Sequence, residues 1–578
     1  MKLNTIFSFF IVFILLFFLF PVKIDAQSGV NLGKISGDFG FNGMYYLEDS
    51  LIGARKVDSK VRANTFLNLN YTNGGFSAGV RYEFYLFPLI DMEDIGYKGQ
   101  GFTRYFADYQ NKFIQVTGGT FYEQFGNGLT LRAYEERDLG VDNSLLGGRV
   151  KVTPYKGITV KGVWGIERKN FDFKYSERND QVRGIDGEIN FSEIFPILTE
   201  KQIALGIGGS LVSKYEKSIE DFYFNRFVGT DSSENISISA GKIPQNVAVY
   251  GVRGFFGIQD FRFEGEYARK VNDPNVSNNF IYKHGEAVFL SATYAMKGLG
   301  ISASLIASDN MDFRSSRYEN NNSLLGINYI PAINRTYSYQ LIGNYAYASQ
   351  ANSEIGGQLQ INYQIPKKSK LGGKYGTDIT FNYARFHSLA KDTVLLAIEN
   401  GTMTGTEGYT SNLFKGSKEL LYQDVGLEIS HRFNKTWKLM VAYNFLSVNL
   451  DVLRGHGGIF YGHNVATELL YKINSIHALR LELHHLYSKN DFGSWAYGML
   501  EYSINPNWFI SVGDQWNYGN IDKEQRIHYY NAMVAFVTGT TRIALSFGKT
   551  REGILCVGGV CRTVPASFGL GLSVSTAF

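Results

Sequence analysis

The stretch SFGLGLSVSTAF, from Ser567 to Phe578, decides the fold class of this chain. Side chains alternate between the two faces of an extended strand, so this stretch has one apolar face and one face of small residues. The small face carries Gly569, Gly571, Ser573, Ser575 and Ala577. Two structures fit this pattern: the last strand of a membrane β-barrel, or an amphipathic edge strand in a soluble β-protein.

The strand resembles the closing strand of bacterial outer-membrane barrels because it ends on an aromatic residue. That resemblance implies that its apolar positions form the signal that the barrel assembly machinery recognises. It also implies pairing with the first strand, which leaves the sheet without a free edge. The positions concerned are Phe568, Leu570, Leu572, Val574 and Phe578.

The first 26 residues have the features of a secretory signal peptide. Lys2 supplies a basic start, an apolar core ends at Pro21, and the predicted cleavage site lies between Ala26 and Gln27. A transmembrane anchor is the alternative, but the apolar run is short and is interrupted by Pro21. The expected domains are therefore a signal peptide, 1–26, and a single barrel, 27–578.

Composition and charge favour a membrane barrel over a soluble protein. The chain contains 63 Gly, 38 Tyr and 44 Phe, and its 19% charged residues fall below the roughly 25% of a typical soluble protein. A net charge of +4 gives no indication of a nucleic-acid partner. After Ala26 no apolar run approaches the roughly 20 residues of a membrane helix, so strands must make any membrane crossing. The expected environment of the barrel is outer-membrane lipid.

Segments of alternating polarity continue along most of the chain. In one of them, Phe261, Phe263, Gly265 and Tyr267 alternate with Arg262, Glu264 and Glu266. Charged side chains at every second position are costly in the core of a soluble sandwich, but water in a lumen solvates them. We therefore predict an all-β transmembrane antiparallel up-and-down barrel, with these three charged residues facing the lumen.

Short turns and long polar loops alternate between these segments, as they do in outer-membrane barrels. Long loops are expected at about 123–144, 214–245, 387–418 and 448–462. The pattern predicts about 26 strands, within a range of 22–26, because the alternation is weak between 246 and 347. An even count places both termini in the periplasm, with the barrel in the outer membrane of a Gram-negative cell.

A barrel of this size requires something inside it. About 26 strands, spaced about 4.8 Å apart and tilted about 40°, give a backbone diameter on the order of 50 Å. The first predicted strand begins soon after the cleavage site, which leaves no room for an N-terminal plug domain. Long loops or a partner protein are therefore expected to fill the lumen.

The stretch from Thr120 to Val150 is the strongest candidate for a lumen constriction. It follows the fifth predicted strand and forms the third outward loop. Opposed charges in a narrow aqueous passage orient polar solutes and favour ions of one sign. The alternative is a network of ion pairs that braces the loop against the wall, and both can hold together. The charged residues are Glu123, Arg132, Glu135, Glu136, Arg137, Asp138, Asp142 and Arg149.

Catalysis has weaker support. Glu135 with Glu136, and His484 with His485, are the pairs that acid–base or metal chemistry would use. Neighbouring strand residues point to opposite faces, so His484 and His485 cannot share a metal without a bulge. One of them is expected in the lumen and the other near the lipid. No catalytic residue, metal site or cofactor is predicted.

The two cysteines, Cys556 and Cys561, lie in the last outward loop. Gly558 and Gly559 allow a tight turn between them, and exported proteins reside where thiols oxidise. These features predict a local disulfide. A metal pair has no neighbouring ligands, and two free thiols are the remaining alternative.

Three stretches carry a family resemblance: FYEQFGNGL (121–129), RAYEERDLGVDNS (132–144) and LCVGGVCRTVP (555–565). They resemble a group of large outer-membrane β-barrel proteins of unknown function from the Bacteroidota. The resemblance implies a location and a fold, and it implies no activity.

The sequence as a whole favours a porin-like channel that passes polar solutes through a lumen constricted by inward-folded loops. The first alternative is an accessory barrel subunit of an export or surface-assembly complex, which would hold a partner protein. The second is an outer-membrane enzyme. A channel conducts on its own in a bilayer, whereas an accessory barrel is electrically silent and co-purifies with its partner.

Overall fold

The computed structural model describes residues 32–578, except 86, 96–97, 170, 172–179, 218–222, 228–234, 240–242, 320–324, 394–406 and 558–559. The predicted signal peptide, with its boundary at Ala26 and Gln27, lies outside the described residues. In the part of the chain that is described, no helix is long and apolar enough to cross a membrane.

Strands dominate the described chain. In order they are β1 (Lys34–Tyr46), β2 (Val61–Asn73), β3 (Phe76–Tyr85), β4 (Gly99–Gln110), β5 (Ile114–Phe121), β6 (Glu123–Phe125), β7 (Leu131–Ala133), β8 (Glu135–Glu136), β9 (Val141–Asp142), β10 (Leu145–Tyr155), β11 (Ile158–Glu167), β12 (Gln181–Asn190), β13 (Ile203–Tyr215), β14 (Tyr223–Phe227), β15 (Asn235–Ser239), β16 (Asn246–Ile258), β17 (Phe261–Lys270), β18 (Gly285–Met296), β19 (Leu299–Asp309), β20 (Ser353–Ile365), β21 (Thr377–Thr393), β22 (Tyr409–Arg432), β23 (Trp437–Asn449), β24 (Ile459–Lys472), β25 (His477–Tyr487), β26 (Trp495–Ile504), β27 (Trp508–Trp516), β28 (His528–Thr538), β29 (Thr541–Thr550), β30 (Gly553–Val557), β31 (Val560–Val564) and β32 (Ser567–Ala577).

Helical turns are short and lie in the connections. The α-helical turns are Phe191–Ile194, Pro196–Glu200, Gln340–Gly343 and Leu450–Arg454, and the 3₁₀ turns are Ser50–Ile52, Ile90–Ile95, Arg137–Leu139, Val276–Asn278 and Lys523–Gln525.

One closed antiparallel sheet of 24 strands forms the barrel, which comprises all strands except β6 to β9, β14, β15, β30 and β31. The last strand closes it: β32 pairs with β29 on one side and with β1 on the other, where Asp38 lies opposite Ala577 and Tyr46 opposite Gly569. The Phe578 carbonyl also accepts a hydrogen bond from the Gly37 N–H at 2.9 Å. The predicted fold class is confirmed, and the 24 strands fall inside the predicted range.

The two faces of the barrel wall differ in polarity as the alternation predicts. On β32, Leu570 and Leu572 point outward and are 43% and 41% exposed. The inward face of β22 carries Asp424, which is fully buried, while Leu427 on the outward face is 41% exposed. Apolar side chains left exposed around the outside of a closed barrel form the surface that a bilayer covers.

Most connections on one rim are short turns, apart from 191–202 and 366–376, and the connections on the other rim are generally longer. Lys34 at the start of β1 lies opposite Thr72, beside the turn that joins β2 to β3, so β1 begins and β32 ends on the short-turn rim. One predicted loop is shorter than expected: β21 continues to Thr393 and β22 begins at Tyr409, so they pair beyond residue 387 as a long hairpin. Register shifts between Phe386 and Lys391 break the regular alternation there, which explains why the sequence predicted a loop.

Candidate functional site

The 122–144 loop, between β5 and β10, folds back against the inner wall. Phe125 and Leu129 are completely buried, and the Asn127 N–H donates to Glu266 Oε2 of β17 at 2.6 Å. The main chain turns there through Gly126 at φ 53°. A Cβ at that position would approach the Glu266 carboxylate to 2.5 Å, so a glycine allows this close contact.

A second segment lies inside the barrel between β19 and β20; it is described over 310–319 and 325–352, and we call these residues the 310–352 segment. Tyr345 stacks on Phe460 of β24 at 3.7 Å, while Tyr347 stacks between Phe386 of β21 and Tyr422 of β22 at 5.0 and 4.9 Å. These partners are inward-facing residues of separate strands. The tyrosines of the 310–352 segment therefore pack against the inner face of the wall where β21, β22 and β24 lie close together.

The two luminal segments are joined by main-chain hydrogen bonds. The Arg132 N–H donates to the Ile327 carbonyl at 2.8 Å, and the Tyr329 N–H donates to the Gly128 carbonyl at 2.9 Å. The Asn143 side chain adds a bond to the Gly326 carbonyl at 2.7 Å. Together the segments form one internal body with a shared apolar core.

Sequence reasoning missed the 310–352 segment. Its tyrosines alternate with polar residues, as in Tyr337, Ser338 and Tyr339, and this alternation resembles that of a strand. Pro331 is the signal that argues against a barrel strand there, because proline cannot donate to a ladder of hydrogen bonds.

Five charged groups connect the 122–144 loop to the wall. Arg81 of β3 donates to both Glu135 oxygens, at 2.6 and 2.9 Å, and its Nη1 lies 3.4 Å from Glu83. Arg168, just after β11, donates to Glu83 at 2.7 Å and to Asp142 at 2.5 Å. Both arginines are about 1% exposed. We call these five residues the charged network.

The electrostatics of the network keep its loop carboxylates ionised. Burial raises the pKa of the Glu135 carboxyl, but the hydrogen bond and the charge of Arg81 outweigh burial and hold the pKa below its ordinary value. Burial also raises the pKa of the Asp142 carboxyl, but the charges of Arg168 and Arg81 outweigh burial and hold that pKa below its ordinary value. Two buried guanidinium groups thus hold the loop in place through charge-assisted hydrogen bonds.

The other charged residues predicted in this loop have different partners. Arg132 stacks on Tyr329 at 3.8 Å and on Tyr134 at 4.3 Å. Arg137 donates to Glu135 at 2.9 Å and stacks on Phe66 at 3.7 Å. The remaining positions are Glu123, which pairs with Arg149 at 3.3 Å and Lys161 at 2.9 Å; Glu136, which is half-buried on β8; and Asp138, whose carbonyl accepts from Arg562 at 3.0 Å.

The three charged residues predicted on β17 differ in their surroundings. Glu266 is 3% exposed and contacts the 122–144 loop, as described. Arg262 and Glu264 lie farther toward the short-turn rim, 3.8 Å apart and well exposed. Glu266 therefore belongs to the wall beneath the loop, whereas the other two face open lumen.

A first cavity of about 320 Å³ lies between the 122–144 loop and the inner wall. Its described lining has five carboxylates and two guanidinium groups: Glu83, Asp91, Glu135, Asp138 and Asp142, with Arg137 and Arg168. The cavity therefore has an excess of negative charge. Four of the residues predicted for a constriction line it: Glu135, Arg137, Asp138 and Asp142. Their role in solute passage stays a prediction.

Comparison with protein families covers nearly the whole chain. The sequence profile described as "Family of unknown function (DUF6029)" matches residues 3–578. The chain belongs to this family. The predicted relationship to a barrel family of unknown function is thereby supported, and a search of curated proteins found no match.

Solved structures resemble this member of the family at low similarity. The P pilus usher (PapC) translocation pore aligns at 8% identity and a TM-score of 0.37, covering 94% of this chain and 99% of that chain. A mutant ferric enterobactin receptor (PfeA) from Pseudomonas aeruginosa aligns at 9% identity and 0.40, covering 94% and 81%. OccAB3 from Acinetobacter baumannii aligns at 9% identity and 0.31, covering 69% and 92%. Similarity at this level carries no argument about what passes through the barrel.

The two histidines considered for chemistry lie on opposite faces of β25. His484 is 4% exposed inside the barrel, with its ring 5.7 Å from Tyr339. His485 points outward, where its Nε2 lies 2.6 Å from the Tyr518 hydroxyl. Among the described residues, no group of three or more possible metal ligands comes together.

The cysteine hairpin is formed by β30 and β31, which place Cys556 directly opposite Cys561. Its base is held by Arg562, which lies 3.2 Å from Asp91. Residues directly opposite each other in an antiparallel pair have Cα atoms about 4.5–5.5 Å apart, within the range of about 4.4–6.8 Å found in disulfides.

We expect the Cys556–Cys561 disulfide to form in protein recovered from the cell envelope. After alkylation without reductant, mass spectrometry of the peptide that spans both cysteines should show no added label and a mass lower by two hydrogens. Reduction before alkylation is the control and should add two labels. Two labels without reduction would rule the bridge out.

Proposed function

We propose that this protein is an outer-membrane barrel through which small polar solutes pass, with the charged network and the first cavity as its selective constriction. The short-turn rim and both termini then face the periplasm. In this proposal the assembly machinery recognises the apolar residues of β32, and an origin in the Bacteroidota stays a prediction. No nucleic acid and no cofactor take part.

The polar and accessible wall of the lumen on the short-turn side carries this proposal. Near that rim, Arg480 of β25 lies 3.4 Å from Glu468 and 3.2 Å from Glu501, and all three side chains are between 25% and 29% exposed. Charged groups that keep contact with solvent inside a barrel indicate a water-filled lumen. From there, solutes meet the loop body and the negatively charged first cavity.

A planar-bilayer recording tests this function. We expect the purified, heat-modifiable protein to show a steady, small conductance with a preference for cations, because carboxylates outnumber guanidinium groups in the first cavity. A variant in which residues 126–142 are replaced by a short Gly/Ser linker should conduct more and lose much of that preference.

A matched control for this variant is a Gly/Ser replacement of residues 521–525, an exposed connection between β27 and β28 that includes Ile521 at 82% exposure. It should conduct like the wild type. Electrical silence of the wild type, with heat-modifiability intact, would contradict the proposal.

The apolar core between the luminal segments favours a second candidate, an accessory barrel whose lumen opens only with a protein partner. Met311, Phe313 and Leu341 of the 310–352 segment are all 0% exposed. Under this candidate the wild type is silent and co-purifies with another envelope protein. The same recordings, together with the composition of the purified sample, distinguish the two candidates.

A further inference from the structure

A second cavity, of about 350 Å³, lies on the other side of the cysteine hairpin. It is enclosed by residues 334–347 of the internal segment, by Tyr422 of the wall and by the base of the hairpin, and Leu555 lines both cavities. Its described lining contains Arg335 and Arg551 and no aspartate or glutamate. The hairpin thus separates a negatively charged cavity from a positively charged one.

Only one of these two arginines has a carboxylate partner in the described structure. Arg335 donates to Glu428 at 2.8 Å. The Arg551 guanidinium instead donates through Nε to Asn344 Oδ1 at 3.2 Å and lies 5.5 Å from the Trp495 ring. Burial lowers the pKa of Arg551, and the nearby Arg454 guanidinium acts in the same direction.

The acidic group near Arg551 is already shared by two other residues. Asp491 accepts from Arg454 at 3.2 Å and from the Tyr345 hydroxyl at 2.9 Å. Two guanidinium groups and one carboxylate leave this corner of the cavity with one positive charge in excess. Arg551 is only partly exposed and has no carboxylate partner of its own among the described residues, so the site favours an anion from solution.

A free donor lies beside the guanidinium. Asn344 is 9% exposed, and its Nδ2 is buried without a hydrogen-bond partner among the described residues. Arginine can only donate, so the amide oxygen must face Arg551 and the NH₂ group must face away. Buried donors are almost always satisfied in native proteins, and one that lines a cavity points to a bound acceptor.

We propose that the second cavity binds a small oxyanion, a carboxylate or phosphate group on a small polar molecule, through the Arg551 guanidinium and the Asn344 amide. A cavity of this size is at the lower end of ligand sites, which span roughly 300–1,000 Å³. Thr336, Ser338 and Gln340 also line it and are exposed, so solutes reach it from the lumen. The site requires binding alone and does not depend on whether the barrel conducts.

Equilibrium binding to the full-length barrel in detergent micelles tests the site. Inorganic phosphate and glucuronate are titrated by calorimetry at constant ionic strength in chloride. We expect saturable binding of at least one probe, weakened about tenfold or more in Arg551→Gln, because hydrogen bonds from a guanidinium to an oxyanion are charge-assisted. Binding of phosphate alone or of glucuronate alone identifies the class of oxyanion, and both outcomes support the site.

Two further variants keep the test specific. Asn344→Asp supplies an internal carboxylate to Arg551 and should abolish binding while the barrel stays heat-modifiable. Arg335→Gln removes the other arginine of this cavity, which already has Glu428 as its partner. The affinity of this variant for the probe should stay within about twofold of the wild-type affinity. Absence of binding for both probes, or equal affinity in Arg551→Gln, would overturn the proposal whatever the conductance recordings show.

Discussion

Replacing residues 311–351 with a four-residue Gly/Ser linker is expected to raise the single-channel conductance about tenfold, because the open area of a 24-stranded barrel is large once its internal body is removed. The flanking strands β19 and β20 remain paired up to Asp309 and Ser353, so a short linker can close the hairpin. The same planar bilayers used for the wild type measure the change.

The replacement of 521–525 is again the matched control, and heat-modifiable electrophoretic mobility reports whether each variant has folded. A folded 311–351 variant with wild-type conductance would show that this segment does not limit the passage. If the wild type is silent and only this variant conducts, the accessory-barrel function is favoured over the channel.

Replacing Arg81 with Met is expected to cost about 1.5–3 kcal/mol in the docking of the 122–144 loop, because Glu135 loses its two-bond partner and keeps only Arg137, while Glu83 keeps only Arg168. Arg81 also donates to Asn68 at 2.7 Å, so the substitution breaks contacts on β2, β3 and the loop together. Limited proteolysis should then cleave the loop much faster than in the wild type, and current noise in bilayers should increase.

Arg262→Met is the control for that variant. Its ion pair with Glu264 is 3.8 Å long and largely exposed, so the loss should be below about 1 kcal/mol with no change in proteolysis. Replacing Arg81 and Glu135 together by Met removes both members of the pair and should recover part of the stability. If the loop in Arg81→Met resists protease as well as the wild type does, the charged network does not hold it.

The barrel could be predicted from the sequence because the alternation that forms its strands depends on neighbouring residues. Alternation on β32 and β17 depends on a period of two, and each strand carries that period in its own residues. Turn and loop lengths could also be read directly, so the predicted loops at 123–144, 214–245 and 448–462 lie between barrel strands, whereas the one at 387–418 is largely a hairpin. The strand range of 22–26 reflects the one region, 246–347, where the local pattern is weak.

The partners inside the barrel were not predictable in the same way. The sequence placed Glu135 and Asp142 in one charged loop with Arg132, Arg137 and Arg149. In the structure the strongest partners are Arg81 and Arg168, which come from the wall. Arg132 stacks on Tyr329, which lies nearly 200 residues later in the chain.

The sequence by itself determined that this chain is a membrane barrel, where most of its strands lie, and that the loop at 122–144 is rich in opposed charges, because strand alternation and turn chemistry act between near neighbours. The tertiary structure alone decided what fills the lumen. Contacts such as Asn143 with Gly326, Tyr345 with Phe460, and Asn344 with Arg551 join residues that only barrel closure brings together. Local periodicity in the sequence therefore determines the fold, whereas long-range packing determines the candidate sites.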